Sequence, residues 1–267
     1  MVLLEFWEDN TSSSQKKNKM ATDKTSLGDR IKMNYEDSFR IKFTKRLPLM
    51  IRLDGCHFSN YTRGFEKPYD VKIRDAFIFA TKELFNEIQG LKITYQQSDE
   101  LTLLITDYDT ITTQSWYDSN LQKIVSVSSS ILTANFNKFM LENKFSNKLA
   151  YFDSRAFILP KEEVCNAFLF RQNDATRNSI SCLGQKYFSA KSLHKKNTSQ
   201  VQEMLFQEKG INWNNEPTWT RRGYCMTRNT IEKEPGVIRS LVEPDFEIPI
   251  FSQNRDYINK FVLIGES

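Results

Sequence analysis

The chain has 267 residues, 39% of them hydrophobic, which suffices for one large core or two small ones, and its formal net charge is only +4. That mild excess of base permits a polyanionic partner without demanding one. No apolar run approaches the roughly 20 residues needed to cross a bilayer, and the four scattered cysteines (Cys56, Cys165, Cys182, Cys225), with no C-x-x-C pair, speak against a zinc knuckle or a disulfide framework and fit a reducing compartment.

The N-terminus "MVLLEFWEDN" carries acids where a targeting signal carries bases. Polar composition makes residues 1–27 an expected mobile tail. "LPLMIRLDG", ending at Gly55, reads as a buried strand that stops in a tight turn. A helix follows, with Asp70 as its N-cap, Ile73, Phe77, Ala80, Leu84 and Ile88 at helical spacing, and Gly90 beyond its end. "LKITYQQ" and "ELTLLIT" read as two strands around a short turn. Next comes a helix with Ile124, Val127, Ile131, Ala134 and Phe139 roughly on one stripe, and then a strand in "YFDSRAFILP" closed by proline.

This β-α-β-β-α-β order predicts an α+β fold of the ferredoxin-like, split βαβ kind. Past Pro160 the pattern turns helical again. A second helix opens with an expected capping box, Ser199 with Gln202, and stops at Gly210. The reading gives one main domain over 28–228 with helical additions, and an irregular C-terminal extension over 229–267, where "EKEPG" and "EPDFEIP" are loop signals.

In that topology the first strand and the central hairpin are neighbours, so Asp54 meets the hairpin tip "QSDE". Two acids brought together this way call for a hard divalent cation with oxygen ligands. Side chains alternate along a strand, so Asp99 and Glu100 are expected to point apart, one towards the cation and the other to the opposite face.

"RLDGCHFSNYTRGFEKPYD", "QQSDE", "FDSR", "FRQNDATRNSI" and "MLFQEKGINWNNEPTWTRRG" occur in this order. Together they resemble the tRNA-histidine guanylyltransferase superfamily of 3′-to-5′ polymerases. The pattern is nearer to the tRNA-histidine guanylyltransferase-like proteins, because Thr176, Arg177, Asn178 and Ser179 stand where the histidine-tRNA enzymes usually carry His-Ile-Asn-Asn. The resemblance implies a polymerase-type palm, matching the element order, and template-dependent nucleotide addition at tRNA 5′ ends for repair or editing. The alternative it leaves is addition of a single G to histidine tRNA. It further implies two Mg2+ ions, ATP or GTP as activating nucleotide, nucleoside triphosphates and tRNA as partners, a homotetramer and a cytoplasmic, or else mitochondrial, enzyme.

Carried over residue by residue, the resemblance implies Asp54, Asp99 and Glu100 as the catalytic acids and Asp54, Gly55 and Asp99 as metal ligands. Nucleotide binding falls on Asp54, Gly55, Cys56, His57, Phe58, Ser59, Lys67, Ser98, Asp99 and Lys123. The family commonly has Arg in place of Cys56 and His in place of Ser59, which shifts phosphate binding towards backbone N–H groups. Arg155, Arg171, Gln172, Asp174, Arg177, Asn178, Arg221 and Arg222 are the expected RNA-binding set. Their charge and hydrogen-bonding capacity suit phosphates, and Trp213 and Trp219 nearby are candidates for stacking on bases.

Overall fold

The computed structural model describes residues 24–234 and 237–263. The chain divides into two compact units, Met1–Arg40 and Ile41–Ser267. The expected tail over 1–27 lies almost wholly outside the described residues. In the first unit Ser26 caps a short helix, α1 (Leu27–Ile31), and a π-type and a 3-10 turn follow, with no buried residue in any of them. Residues 27–39 are thus helical and exposed.

The second unit begins its sheet with β1 (Leu49–Gly55), followed by a single-turn helix α2 (Phe58–Tyr61) and α3 (Val71–Glu87). Asp70 caps α3 by accepting from the Lys72 N–H, and Ile73, Phe77, Ala80, Leu84 and Ile88 are all buried. The hairpin β2 (Leu91–Gln97) and β3 (Glu100–Ile105), helix α4 (Leu121–Glu142) and β4 (Phe152–Ile158) complete the βαββαβ series. Then come α5 (Lys161–Tyr187), α6 (Ala190–Leu193), α7 (Thr198–Lys209), α8 (Thr218–Arg222), β5 (Tyr224–Glu234), β6 (Val237–Asp245) and α9 (Asp256–Asn259).

The strands form one six-stranded antiparallel sheet in the order β4-β1-β3-β2-β5-β6. Its first four strands have the predicted ferredoxin-like arrangement. One face carries Ile51, Leu53, Leu101 and Leu103 against α3 and α4, and the other carries Met50, Ile93, Tyr95 and Leu104 against α5 and the C-terminal segment. Burial of these apolar side chains, at ~25 cal/mol per Å2, is what holds the helices on the sheet. A third, smaller cluster joins Ile180 and Leu183 of α5 to Val201 and Leu205 of α7.

Three expectations are corrected. The buried stripe of α4 is Ile124, Leu132, Phe136 and Met140, with Ser128 and Asn137, while Ala134 is exposed. Phe136 sets this rotation, because it packs edge-on against Phe58, Phe77 and Phe152. The capping box of α7 is Asn197 with Gln200, two residues earlier than Ser199 with Gln202. Finally, residues 229–234 and 237–245 are not irregular: β5 pairs with β2 from Ile93↔Thr227 to Gln96↔Tyr224, and β6 pairs back on β5. Of the "EKEPG" loop signal, residues 232–234 belong to β5 and the rest lies outside the described residues.

Candidate active site

β1 delivers Asp54 and Gly55 to the edge of the sheet where the β2–β3 hairpin turns. The Gly55 N–H donates to the Asp99 carbonyl at 3.1 Å, which ties the two segments together. Glycine is required at 55 because a Cβ there would lie 2.7 Å from the Phe58 ring. The chain thus folds back at once over a buried aromatic. Cys56 spends its N–H on the Tyr151 carbonyl at 2.8 Å, so its amide is unavailable to a phosphate. His57 has φ of 52° and is exposed, and it starts α2 from a left-handed backbone position.

The hairpin turn is two residues long, since Gln97 pairs with Glu100. Ser98, with φ of 50°, and Asp99 occupy the turn itself, and the Gln96 side chain holds it by donating to the Ser98 carbonyl at 2.7 Å. Burial pushes the Asp99 carboxyl above its ordinary value, and the neighbouring Asp54 charge adds to that.

Glu100 does not turn away from Asp54 as alternation suggested. The two are direct register partners, Asp54↔Glu100, and residues opposite each other in an antiparallel pair point to the same face. Asp99 escapes the alternation because it belongs to the turn. The Glu100 carboxylate is buried and gripped on both oxygens by Arg171, with Nε to Oε1 at 2.6 Å and Nη2 to Oε2, while Arg52 Nε stands 3.9 Å away. Burial raises the Glu100 pKa, and the Arg171 guanidinium opposes that.

Beside this edge, on the α3 side, lies a recess of about 490 Å3. Phe58, Ser59, Lys67, Ser98 and Asp99 line it, so five of the ten residues expected to bind nucleotide stand around one cavity. Thr62, Tyr69, Arg74, Gln96, Cys182, Gln185 and Trp219 also line it, and of these the sequence reading had singled out Trp219 alone. Tyr69 was within reach of prediction, one residue before the α3 cap. Cys182 and Gln185 were not, because only the full length of α5 brings its last turns back across the sheet edge.

Lys123 does not belong to this cavity. It opens α4 at the edge where β3 ends, with its Nζ over the Tyr117 ring at 5.7 Å. Phe136, which packs on Phe58, lies thirteen residues further along the helix, so at 1.5 Å per residue Lys123 is roughly 20 Å below the site. Within one chain the connection β3-α4-β4 forces this, because the helix starts at the opposite edge.

The expected RNA-binding set also divides. Gln172 is buried, donates to the Pro249 carbonyl and accepts from the Phe251 N–H, so its amide is consumed in fastening the C-terminal segment. Arg171 and Asp174 are spent on one another and on Glu100 and Arg177. Arg177 and Asn178 are exposed on α5. Arg155 is exposed on β4, with Nη2 4.0 Å from Asp54 Oδ2 and 3.5 Å from Asp153 Oδ1. Arg221 faces the Trp213 ring and reaches Thr218, and burial together with Arg221 lowers the Arg222 pKa.

Among the described residues no group of three or more His, Cys, Asp or Glu side chains forms a ready-made metal cage. Two carboxylates and the Gly55 carbonyl do fit Mg2+, which keeps several waters and takes one or two carboxylates together with substrate phosphates. Burial above all, and the Asp54 charge in smaller part, disfavour the ionised Asp99 carboxyl, and a cation would offset both.

A family model described as tRNAHis guanylyltransferase matches residues 29–160. A bacterial tRNA(His) guanylyltransferase-like protein in complex with ATP has a TM-score of 0.83 and 46% identity, covering 90% of this chain and 100% of that one. The chain belongs to the tRNA-histidine guanylyltransferase superfamily. A second solved bacterial superfamily member, in complex with GTP, gives a TM-score of 0.78 and 44% identity over 89% of this chain and 99% of its own. The tRNA(His) guanylyltransferase of Neurospora crassa is 28% identical over 206 residues, 70% of this chain and 69% of that protein. As a member of this superfamily the protein is a nucleotidyltransferase of tRNA processing that binds nucleotides. No helix among the described residues is long and apolar enough to cross a membrane, and Cys56, Cys165, Cys182 and Cys225 are all free thiols.

Proposed function

We propose that the protein extends tRNA 5′ ends in the 3′-to-5′ direction, with base pairing to a template choosing each nucleotide, as a repair or editing activity. The observation that carries this is Asp99, with the Asp54 charge near it, lining a recess of nucleotide size that Lys67 also lines. The ATP-bound and GTP-bound superfamily members, at 46% and 44% identity, support reading that recess as the triphosphate site.

In the first step an oxygen of the RNA 5′-phosphate attacks the α-phosphorus of ATP, forming a 5′-5′ pyrophosphate link and releasing pyrophosphate. In the second, the 3′-hydroxyl of the incoming nucleotide attacks the RNA 5′-phosphorus, losing its proton and releasing AMP. Mg2+ held by Asp54, Asp99 and the Gly55 carbonyl would neutralise triphosphate charge and stabilise the attacking and leaving oxygens. Lys67, exposed at the rim, supplies a mobile cation for the phosphates, and Ser59 and Ser98 supply hydroxyls. Arg155, beside Asp54, is oriented to hold the RNA 5′-phosphate. Glu100 positions the hairpin through Arg171 and touches no substrate.

Purified protein, ATP, Mg2+ and nucleotides complementary to the template strand should lengthen a 5′-truncated, monophosphorylated tRNA. Absence of any extension from either mono- or triphosphorylated RNA refutes the reading. A second reading, addition of one G to histidine tRNA, is favoured by the name of the matched family. The absence of histidine from Thr176–Ser179 weighs against it. Comparing full-length histidine tRNA with truncated tRNAs as substrates separates the two.

A further inference from the structure

A second recess, of about 320 Å3, lies on the other face of the sheet, between β1, β4 and α5. Asp54, Arg52 and Met50 share that face of β1, and their register partners on β4 are Asp153, Arg155 and Phe157. Moving away from the acids at about 3.3 Å per residue, the Arg52–Arg155 pair is roughly 7 Å from Asp54 and the Met50–Phe157 pair roughly 13 Å. Phe170 of α5 closes the far side. Phe157 and Phe170 remain 39% and 55% exposed although both line a cavity. Arg52 Nε is buried with no hydrogen bond, and the Glu100 carboxylate 3.9 Å away is already gripped on both oxygens by Arg171. Exposed aromatic rings beside arginines are the composition of a single-strand nucleic-acid site.

We propose that this recess holds the 5′-terminal nucleotide of the RNA substrate, its base stacked against Phe157 and Phe170 and its phosphate led past Arg52 and Arg155 to Asp54. The inference rests on the polymerase reading and assigns the place of its second substrate. The two reactants then approach the Asp54–Asp99 pair from opposite faces of the sheet, the triphosphate from the α3 side and the RNA end from the α5 side. Glu163 and Asn166 also line the recess, but Asn166 donates to Glu163 and accepts from Arg255, so the recess holds a base by stacking and not by reading its edge. The order of features matches a nucleotide, with cationic groups nearest the reacting phosphate and apolar rings one residue pair further on.

The test uses a 5′-monophosphorylated, truncated tRNA with 2-aminopurine as its terminal base, whose fluorescence is quenched on stacking. The full-length protein should quench it, and Phe157→Ala with Phe170→Ala should abolish the quench and raise the KM for RNA roughly ten-fold or more. ATP affinity should stay unchanged, and Phe170→Trp should quench as the parent does. Both rings are partly exposed, and a melting curve for each variant checks that the fold is intact. The proposal is overturned if the parent protein binds the RNA without quenching, or if the double alanine variant quenches and extends RNA with an unchanged KM. Quenching that depends on the two rings in a protein that never extends RNA upholds the recess and refutes the polymerase reading.

Discussion

Glu100→Gln tests whether the acidic hairpin is held by a buried ion pair. The Glu100 side chain is 7% exposed and Arg171 17%, with Asp174 at 18% and Arg52 at 26%, so four charges share a poorly solvated patch. Removing the Glu100 charge leaves Arg171 with Asp174 as its one anion and Arg52 with none. Breaking one side of a buried pair costs about 3–5 kcal/mol. Gln retains one acceptor oxygen and Asp174 remains, which places the expectation near the lower end, about 3 kcal/mol. For a unit of this size each kcal/mol moves Tm by about 2–4 °C, so the midpoint should fall by roughly 6–12 °C.

Arg171→Met should cost a comparable amount, and the double variant clearly less than the sum, giving a coupling of about 2 kcal/mol or more in a denaturant cycle. Activity at a temperature where the variant stays folded should drop on the order of 10²-fold, because Asp99 directly precedes Glu100 and loses its placement. Single-variant costs below about 1 kcal/mol, or additive ones, would mean that the pair behaves like a screened surface contact and that the hairpin does not depend on it.

Asp99→Asn should abolish extension yet raise the melting temperature at pH 7 without divalent cations. The folded pKa of Asp99 lies above its ordinary 3.8, so the unfolded chain releases this proton first as pH rises, and the ionised group destabilises the fold above that range. The gain should shrink towards zero as pH falls to 4, and Mg2+ should stabilise the parent protein and not the variant. Gly223→Ala should cost at least about 1–3 kcal/mol in urea unfolding, because φ is +80° and a Cβ would lie 2.3 Å from the Gln96 carbonyl. Gln172→Ala should cost about 1–3 kcal/mol through the lost Pro249 and Phe251 bonds, and amide exchange should accelerate over 248–262 before it does elsewhere.

The order and type of the main elements as far as α7 were legible in the sequence, because hydrophobic period, the Asp70 cap and the glycine stops are local signals. From that order the ferredoxin-like topology follows, and with it the meeting of Asp54 with the "QSDE" hairpin. The rest depends on contacts between distant segments. Turn length made Glu100, and not Asp99, the register partner of Asp54. The placement of α5 over the sheet spent Arg171 on Glu100 and Gln172 on the C-terminal chain, although both read as free polar groups in a helix. The chain path sent Lys123 to the far edge, and Phe136 rotated α4 by choosing its neighbours. The β5–β6 hairpin was illegible because its first strand gains its identity from pairing with β2, more than a hundred residues earlier. Alternation and periodicity report which face a residue takes on its own element, but a side chain's partner is set by packing, which no local pattern encodes.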